Sequence, residues 1–106
     1  MHPLLIEGAA KSPAVNFNPE TGKLEIRGRS IPENTIEFYK PVFAWLDEYS
    51  AKPKSATSVT IQLDYFNTSS AKILADLFKR LQTLHLSGQS AVDITWEYQA
   101  DDEDMQ

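Results

Sequence analysis

The apolar residues between Val59 and Tyr98 change their period twice, and that change restricts the fold more than any other feature of the chain. Val59, Ile61, Leu63 and Tyr65 alternate with Thr60, Gln62 and Asp64. Ile73, Leu74, Leu77, Phe78, Leu81 and Leu84 then recur at helical spacing, with Lys72, Asp76, Lys79 and Arg80 outside the stripe. Val92, Ile94, Trp96 and Tyr98 alternate again, against Asp93, Thr95, Glu97 and Gln99. A period of two lines one face of a strand, whereas the helical period lines one side of a helix. Gly88 stands where that helix would stop. Strand, helix and strand in succession predict parallel neighbours joined by a right-handed crossover.

The same logic extends upstream. Val15 and Phe17, then Leu24 and Ile26, flank the turn residues "NPETG" (Asn18–Gly22), with Lys23, Glu25 and Arg27 on the opposite face. That pattern predicts a β-hairpin, and Leu4–Glu7 adds a short edge strand. Ile36, Tyr39, Val42, Phe43, Leu46 and Tyr49 predict a helix over Asn34–Tyr49. Pro41 inside it predicts a kink, or a main helix restarting at that residue. "SAKPKSATS" (Ser50–Ser58) reads as a loop. Each strand has one apolar and one polar face, so the helices should cover one side of the sheet. The expectation is a single α/β domain over residues 1–106: a two-layer sandwich, with a mixed β-sheet and its helices on one face.

Composition removes several function classes. At 106 residues and 42% hydrophobic, the chain supports one core. No apolar run reaches the length of about 18 residues that membrane insertion needs. "MHPLLIEG" lacks the basic segment and apolar stretch of a secretory signal, and the absence of cysteine fits a cytoplasmic location. Net charge is −5, but four of the fifteen acids are Asp101, Asp102, Glu103 and Asp104, so the acidity belongs to that segment. No basic stripe with interleaved aromatics points to nucleic acid. A glycine-rich phosphate loop, a Ser/His/Asp set and a nucleophile elbow are all absent, so nothing suggests an enzyme or a cofactor. His2 and His85 have no second ligand at metal spacing, and Asp101–Asp104 lacks the alternation and glycine of a calcium loop.

In parallel strand–helix–strand units the segments leaving the carboxyl ends of the strands share one edge of the sheet, where open α/β sheets place their working residues. Three polar segments leave strand ends: "RGRSIPEN" (Arg27–Asn34), "FNTSS" (Phe66–Ser70) and "ADDED" (Ala100–Asp104). The topology predicts that they converge. Asn67, Thr68, Ser69 and Ser70 admit two readings. Their side chains are good acceptors for the free amides of a starting helix. Capping is the commoner role for such residues; Thr68 is also a candidate phosphorylation site, because a phosphate at a helix N-terminus meets free amides and the positive end of the dipole. The readings are compatible.

Three motifs in order carry a resemblance. "GRSIPEN" with "EFYKPVFAWLDEY", then "LDYFNTSSAKIL", then "ITWEYQADDEDM" resemble the SiaC family of bacterial regulatory phosphoproteins, over about Pro13 to Met105. Ile31 stands where the family pattern has an aromatic residue. Family members continue past "DDEDM", where this sequence ends at Gln106. The resemblance implies a fold like STAS domains and a non-enzymatic partner switch. It implies that a Ser/Thr protein kinase with a histidine-kinase-like ATPase fold phosphorylates Thr68, and that a PP2C-type phosphatase reverses this. It further implies that the unmodified form binds and activates a diguanylate cyclase, favouring cyclic-di-GMP synthesis and biofilm. The expected contact residues are Arg27, Arg29, Ser30, Pro32, Glu33 and Asn34 from the first segment. Tyr65, Phe66, Asn67, Ser69, Ser70 and Lys72 come from the second, and Asp101 and Asp102 from the third. The residues themselves leave open an anti-sigma-factor antagonist in another pathway, or a small-molecule-binding domain using the same edge.

Overall fold

The structure is a computed structural model that describes residues 1–98, without the side chain of Tyr98. The elements run β1 (Leu4–Ile6), β2 (Ala14–Asn18), β3 (Lys23–Ser30), α1 (Thr35–Ala51), β4 (Ala56–Phe66), α2 (Thr68–Leu86) and β5 (Ala91–Tyr98). They form one sheet in the order β1-β2-β3-β4-β5. The β1/β2 and β2/β3 pairs are antiparallel, and β3/β4 and β4/β5 are parallel. The sheet is therefore mixed, as the patterning predicts.

The β2–β3 turn is built by its own residues. Asn18 Oδ1 accepts from the Glu20 amide at 2.9 Å, and the Gly22 amide donates to the Asn18 carbonyl at 3.0 Å. Gly22 has φ +74°, and a Cβ there would lie 2.4 Å from the Ala56 carbonyl oxygen. Glycine is needed at this position twice over, for the left-handed backbone and for the close approach of β4.

Val15, Phe17, Leu24, Ile26, Val59, Ile61 and Leu63 turn the inner face of the sheet toward the helices. Tyr39, Val42, Trp45, Leu46 and Tyr49 from α1 meet them, with Leu74, Leu77, Leu81 and Leu84 from α2. The opposite face carries exposed Lys23, Arg27, Gln62, Asp93 and Glu97, and no described helix lies over it. Two layers result. The helix α1 runs continuously through Pro41, which is exposed, so the carbonyl that loses its amide partner can face solvent. No described helix is long and apolar enough to cross a membrane.

Three expectations change. Ser50–Ser58 is a shorter loop than expected, because α1 extends to Ala51 and β4 begins at Ala56. Thr57 is buried in that strand start, bonded to Tyr49 Oη at 2.9 Å and Ser90 Oγ at 2.6 Å. Ile36 is 70% exposed, since the part of α1 that meets the sheet begins at Tyr39. Ile94 lies opposite Val59 on the inner face but is 39% exposed, because β5 is the edge of the sheet.

Candidate functional site

At the carboxyl edge of the sheet, β3 and β4 end side by side, with Ser30 paired to Phe66. Each strand hands over to a helix start there. Asn34 caps α1 by accepting the Glu37 amide at 3.2 Å. Asn67 caps α2 by accepting the Ser70 amide on Oδ1 at 2.8 Å. The cap of α2 is therefore Asn67, and Thr68 occupies the first helical position. The side chains of Thr68 and Ser69 are exposed and make no hydrogen bond among the described residues. Their backbone amides also find no acceptor among those residues, as expected for the first turn of a helix.

Ser70 differs from both. Its side chain is buried, at 0% exposure, and its Oγ donates to the Ser30 carbonyl at 2.8 Å. Ser30, also at 0%, donates its Oγ proton to Ser70 Oγ at 2.8 Å, and Tyr39 Oη lies 2.6 Å from Ser30 Oγ. A carbonyl only accepts, and each hydroxyl has one proton, so the directions are forced. Tyr39 donates to Ser30, Ser30 to Ser70, and Ser70 to the Ser30 carbonyl. That carbonyl also takes the Asn67 amide at 3.1 Å. Burial raises the Tyr39 phenol above its ordinary value of 10, against a smaller lowering by the Ser30 bond, which keeps the phenol a neutral donor.

The expected contact set divides into three groups. Ser30 and Ser70 are interior, so their side chains hold the edge together and do not meet a partner directly. Phe66 is half-buried, with its ring 5.6 Å from that of Trp96, and Asn67 is occupied as a cap. Arg27, Arg29 and Tyr65 lie on the open face of the sheet. The sequence alternation placed Tyr65 with Leu63 on the inner face, and the structure overturns this: Leu63 pairs with Gly28 and Tyr65 with Arg29, leaving Asp64 as an extra residue. This β-bulge reverses the parity of the strand end, so Tyr65 is 55% exposed and Phe66 turns inward. Arg27 bonds Gln62 Oε1 and approaches Glu25 at 3.5 Å.

The third group gathers between the helix starts. Glu33, Asn34, Thr35, Ile36, Ser69, Lys72 and Ile73 line a cleft of about 300 Å³. A further hollow of about 290 Å³ follows, lined by Ile36, Lys40, Phe43, Ile73, Asp76 and Arg80. Two of the predicted segments thus converge. Asp101 and Asp102 lie outside the described residues. The apolar floor formed by Ile36, Phe43 and Ile73 was missed in the sequence, where Ile36 and Phe43 counted as core of the same stripe. A separate hollow of about 440 Å³ lies at the opposite end of the sheet among Met1, Pro19, Glu48 and Lys52. No three His, Cys, Asp or Glu side chains gather as a metal site among the described residues. His85 Nδ1 accepts the Val92 amide at 3.1 Å.

Comparison with known proteins agrees with this geometry. The model of a family described as SiaC family regulatory phosphoprotein matches residues 6–106. An uncharacterized protein of Pseudomonas aeruginosa (strain UCBPP-PA14) is 32% identical over 98 residues, covering 92% of this chain and 77% of its own length. Among solved structures, apo-SiaC from Pseudomonas aeruginosa superposes with a TM-score of 0.86 at 31% identity, covering 93% of this chain and 81% of that one. A chain in the crystal structure of the diguanylate cyclase SiaD in complex with its activator SiaC, from the same species, gives 0.85 at 30% identity, covering 96% and 83%.

Proposed function

This chain belongs to the SiaC family of regulatory phosphoproteins, and from that premise we propose that it is a non-enzymatic, cytoplasmic switch whose state is set by phosphorylation of Thr68. The unmodified form binds and activates a diguanylate cyclase. A Ser/Thr kinase with a histidine-kinase-like ATPase fold adds the phosphate and blocks binding, and a PP2C-type phosphatase restores it. The observation that carries the reading is the exposed hydroxyl of Thr68 at the start of α2, beside the cleft and without a partner among the described residues. A similar SiaC is an activator found in complex with a cyclase, which supports the choice of partner.

The physics of such a switch is local. A phosphate brings about −1.5 to −2 charges and three acceptor oxygens. On Thr68 it meets the free amides of the first turn and the positive end of the α2 dipole, an arrangement worth about 0.3–1 kcal/mol to an anion. Lys72, one turn further on, has no ion pair among the described residues and lies at the spacing that pairs with position 68. The fold therefore tolerates the group. A partner covering the edge must desolvate it, at a cost of several kcal/mol, and about 1.4 kcal/mol is tenfold in affinity. The contact surface then comprises Pro32, Glu33, Asn34, Ser69 and Lys72 around the cleft, with Arg29 and Tyr65 on the adjoining sheet face.

The test is to incubate the chain with ATP and native bacterial lysate, phosphatases inhibited, and map phosphopeptides beside Thr68→Ala. Both forms are then added to a diguanylate cyclase and cyclic-di-GMP is measured. Phosphate on Thr68, with stimulation by the unmodified form alone, supports the reading. Phosphate elsewhere, or equal stimulation by both forms, refutes it.

A further inference from the structure

Thr68, Ser69 and Ser70 present three consecutive alcohols to a kinase. Transfer moves the γ-phosphoryl group of ATP to the alcohol oxygen and releases ADP and the alcohol proton. That chemistry barely distinguishes threonine from serine, so selection among neighbours has to come from presentation. Successive residues of a helix are turned by about 100° around its axis. Fixing one of the three inward therefore fixes where the other two point.

We propose that the chain of hydroxyls Tyr39–Ser30–Ser70 is the specificity device of this site: it withdraws Ser70 from phosphorylation and holds α2 in the rotation that offers Thr68. The inference rests on Thr68 being the modified residue. Both functions of the Ser70 hydroxyl are used, its proton by the Ser30 carbonyl and its lone pair by Ser30 Oγ, each at 2.8 Å. Ser30, Tyr39 and Ser70 are all at 0% exposure, so no water competes for these bonds. Phosphorylating Ser70 would require the first turn of α2 to leave the end of β3, breaking two bonds to Ser30 and the Asn67 cap with them. Thr68 and Ser69 require no such opening. Ser69 faces the cleft, where Glu33 opposes and Lys72 favours a second negative group, so the device acts on Ser70 and leaves Ser69 to be read by the mapping.

Ser30 and Tyr39 carry no phosphate in this scheme, and neither side chain reaches the surface. They act as positioning residues, and their variants change selection without removing any of the three candidate phosphate acceptors. The experiment is phosphopeptide mapping of the full chain with ATP and native bacterial lysate, comparing wild type, Ser30→Ala and Tyr39→Phe, with far-UV circular dichroism to confirm folding. Loss of one buried hydrogen bond should raise the ratio of Ser70 to Thr68 phosphate about fivefold, and Ser30→Ala should exceed Tyr39→Phe. A residue that merely supported the fold would lower the melting temperature and leave that ratio unchanged. If Ser30→Ala fails to fold, Tyr39→Phe, which keeps the ring, decides the matter. Phosphate confined to Thr68 in the folded variants overturns the proposal alone. Wild type without phosphate on Thr68 overturns the underlying reading, and the proposal with it.

Discussion

Alanine replacement across Thr68, Ser69 and Ser70 should separate three hydroxyls that look alike in sequence. In Ser70→Ala, Ser30 Oγ loses the acceptor of its proton and the Ser30 carbonyl loses one of two donors. The carbonyl still holds the Asn67 amide at 3.1 Å. The proton has no such substitute. If Ser30 rotates to donate to Tyr39, the phenol proton is stranded in its place. One buried donor is left unsatisfied in either arrangement, which costs about 1–3 kcal/mol. For a domain of this size that lowers the melting temperature by about 4–8 °C per kcal/mol. Thr68→Ala and Ser69→Ala remove exposed groups without partners among the described residues and should stay within about 0.5 kcal/mol of wild type. Urea unfolding followed by far-UV circular dichroism measures all three. Equal stability across the series, or a larger loss at position 68 than at 70, would refute the assignment of the interior hydroxyl.

Asn67→Ala removes the α2 cap and should cost about 0.5–2 kcal/mol in the same assay, whereas Asn67→Gly should cost only a few tenths. Gly22→Ala puts a side chain at φ +74° and against the Ala56 carbonyl, so a loss of at least about 1–3 kcal/mol is expected from the backbone strain alone; a melting temperature unchanged from wild type would contradict the turn geometry. The raised phenol of Tyr39 gives a pH dependence of definite sign. The folded state holds that proton more tightly than the unfolded chain does. The associated stability is present below the ordinary value of 10 and is lost as pH rises from there through the folded value. Alkaline titration of unfolding should therefore fall less steeply in Tyr39→Phe than in wild type, and parallel curves would count against it.

The sheet, its order of elements and the face covered by helices were legible because apolar periodicity records burial directly. What failed was local. The reversal at Tyr65 comes from an extra residue in β4, and a bulge in a parallel pair depends on the register of two strands distant in the chain. Nothing in "DYFNTSS" specifies it. Thr57 looked like loop because a small polar residue in a run of Ser, Ala and Lys shows no period; its burial needs Tyr49 and Ser90 as partners. The candidate site was visible as a run of small polar residues, but their division of labour was not. Which of four neighbours caps, which is buried and which stays free is decided by the end of β3, about 40 residues earlier in a helix-and-sheet geometry that places Ser30 beneath Ser70.

The helix α1 carries a tyrosine toward each end of the sheet, Tyr39 to Ser30 and Tyr49 to Thr57, and these contacts have a mechanical consequence. Leucine and valine contacts are non-directional and by themselves resist translation of a helix along a sheet only through shape. Hydrogen bonds are directional and short, so two of them near opposite ends act like dowels through a joint. Sliding or rotating α1 would break both together. The edge that carries Thr68 is thus mounted on a stiff platform. Under the proposed switch, a phosphate on Thr68 would act through what the surface displays, with the scaffold behind it standing still.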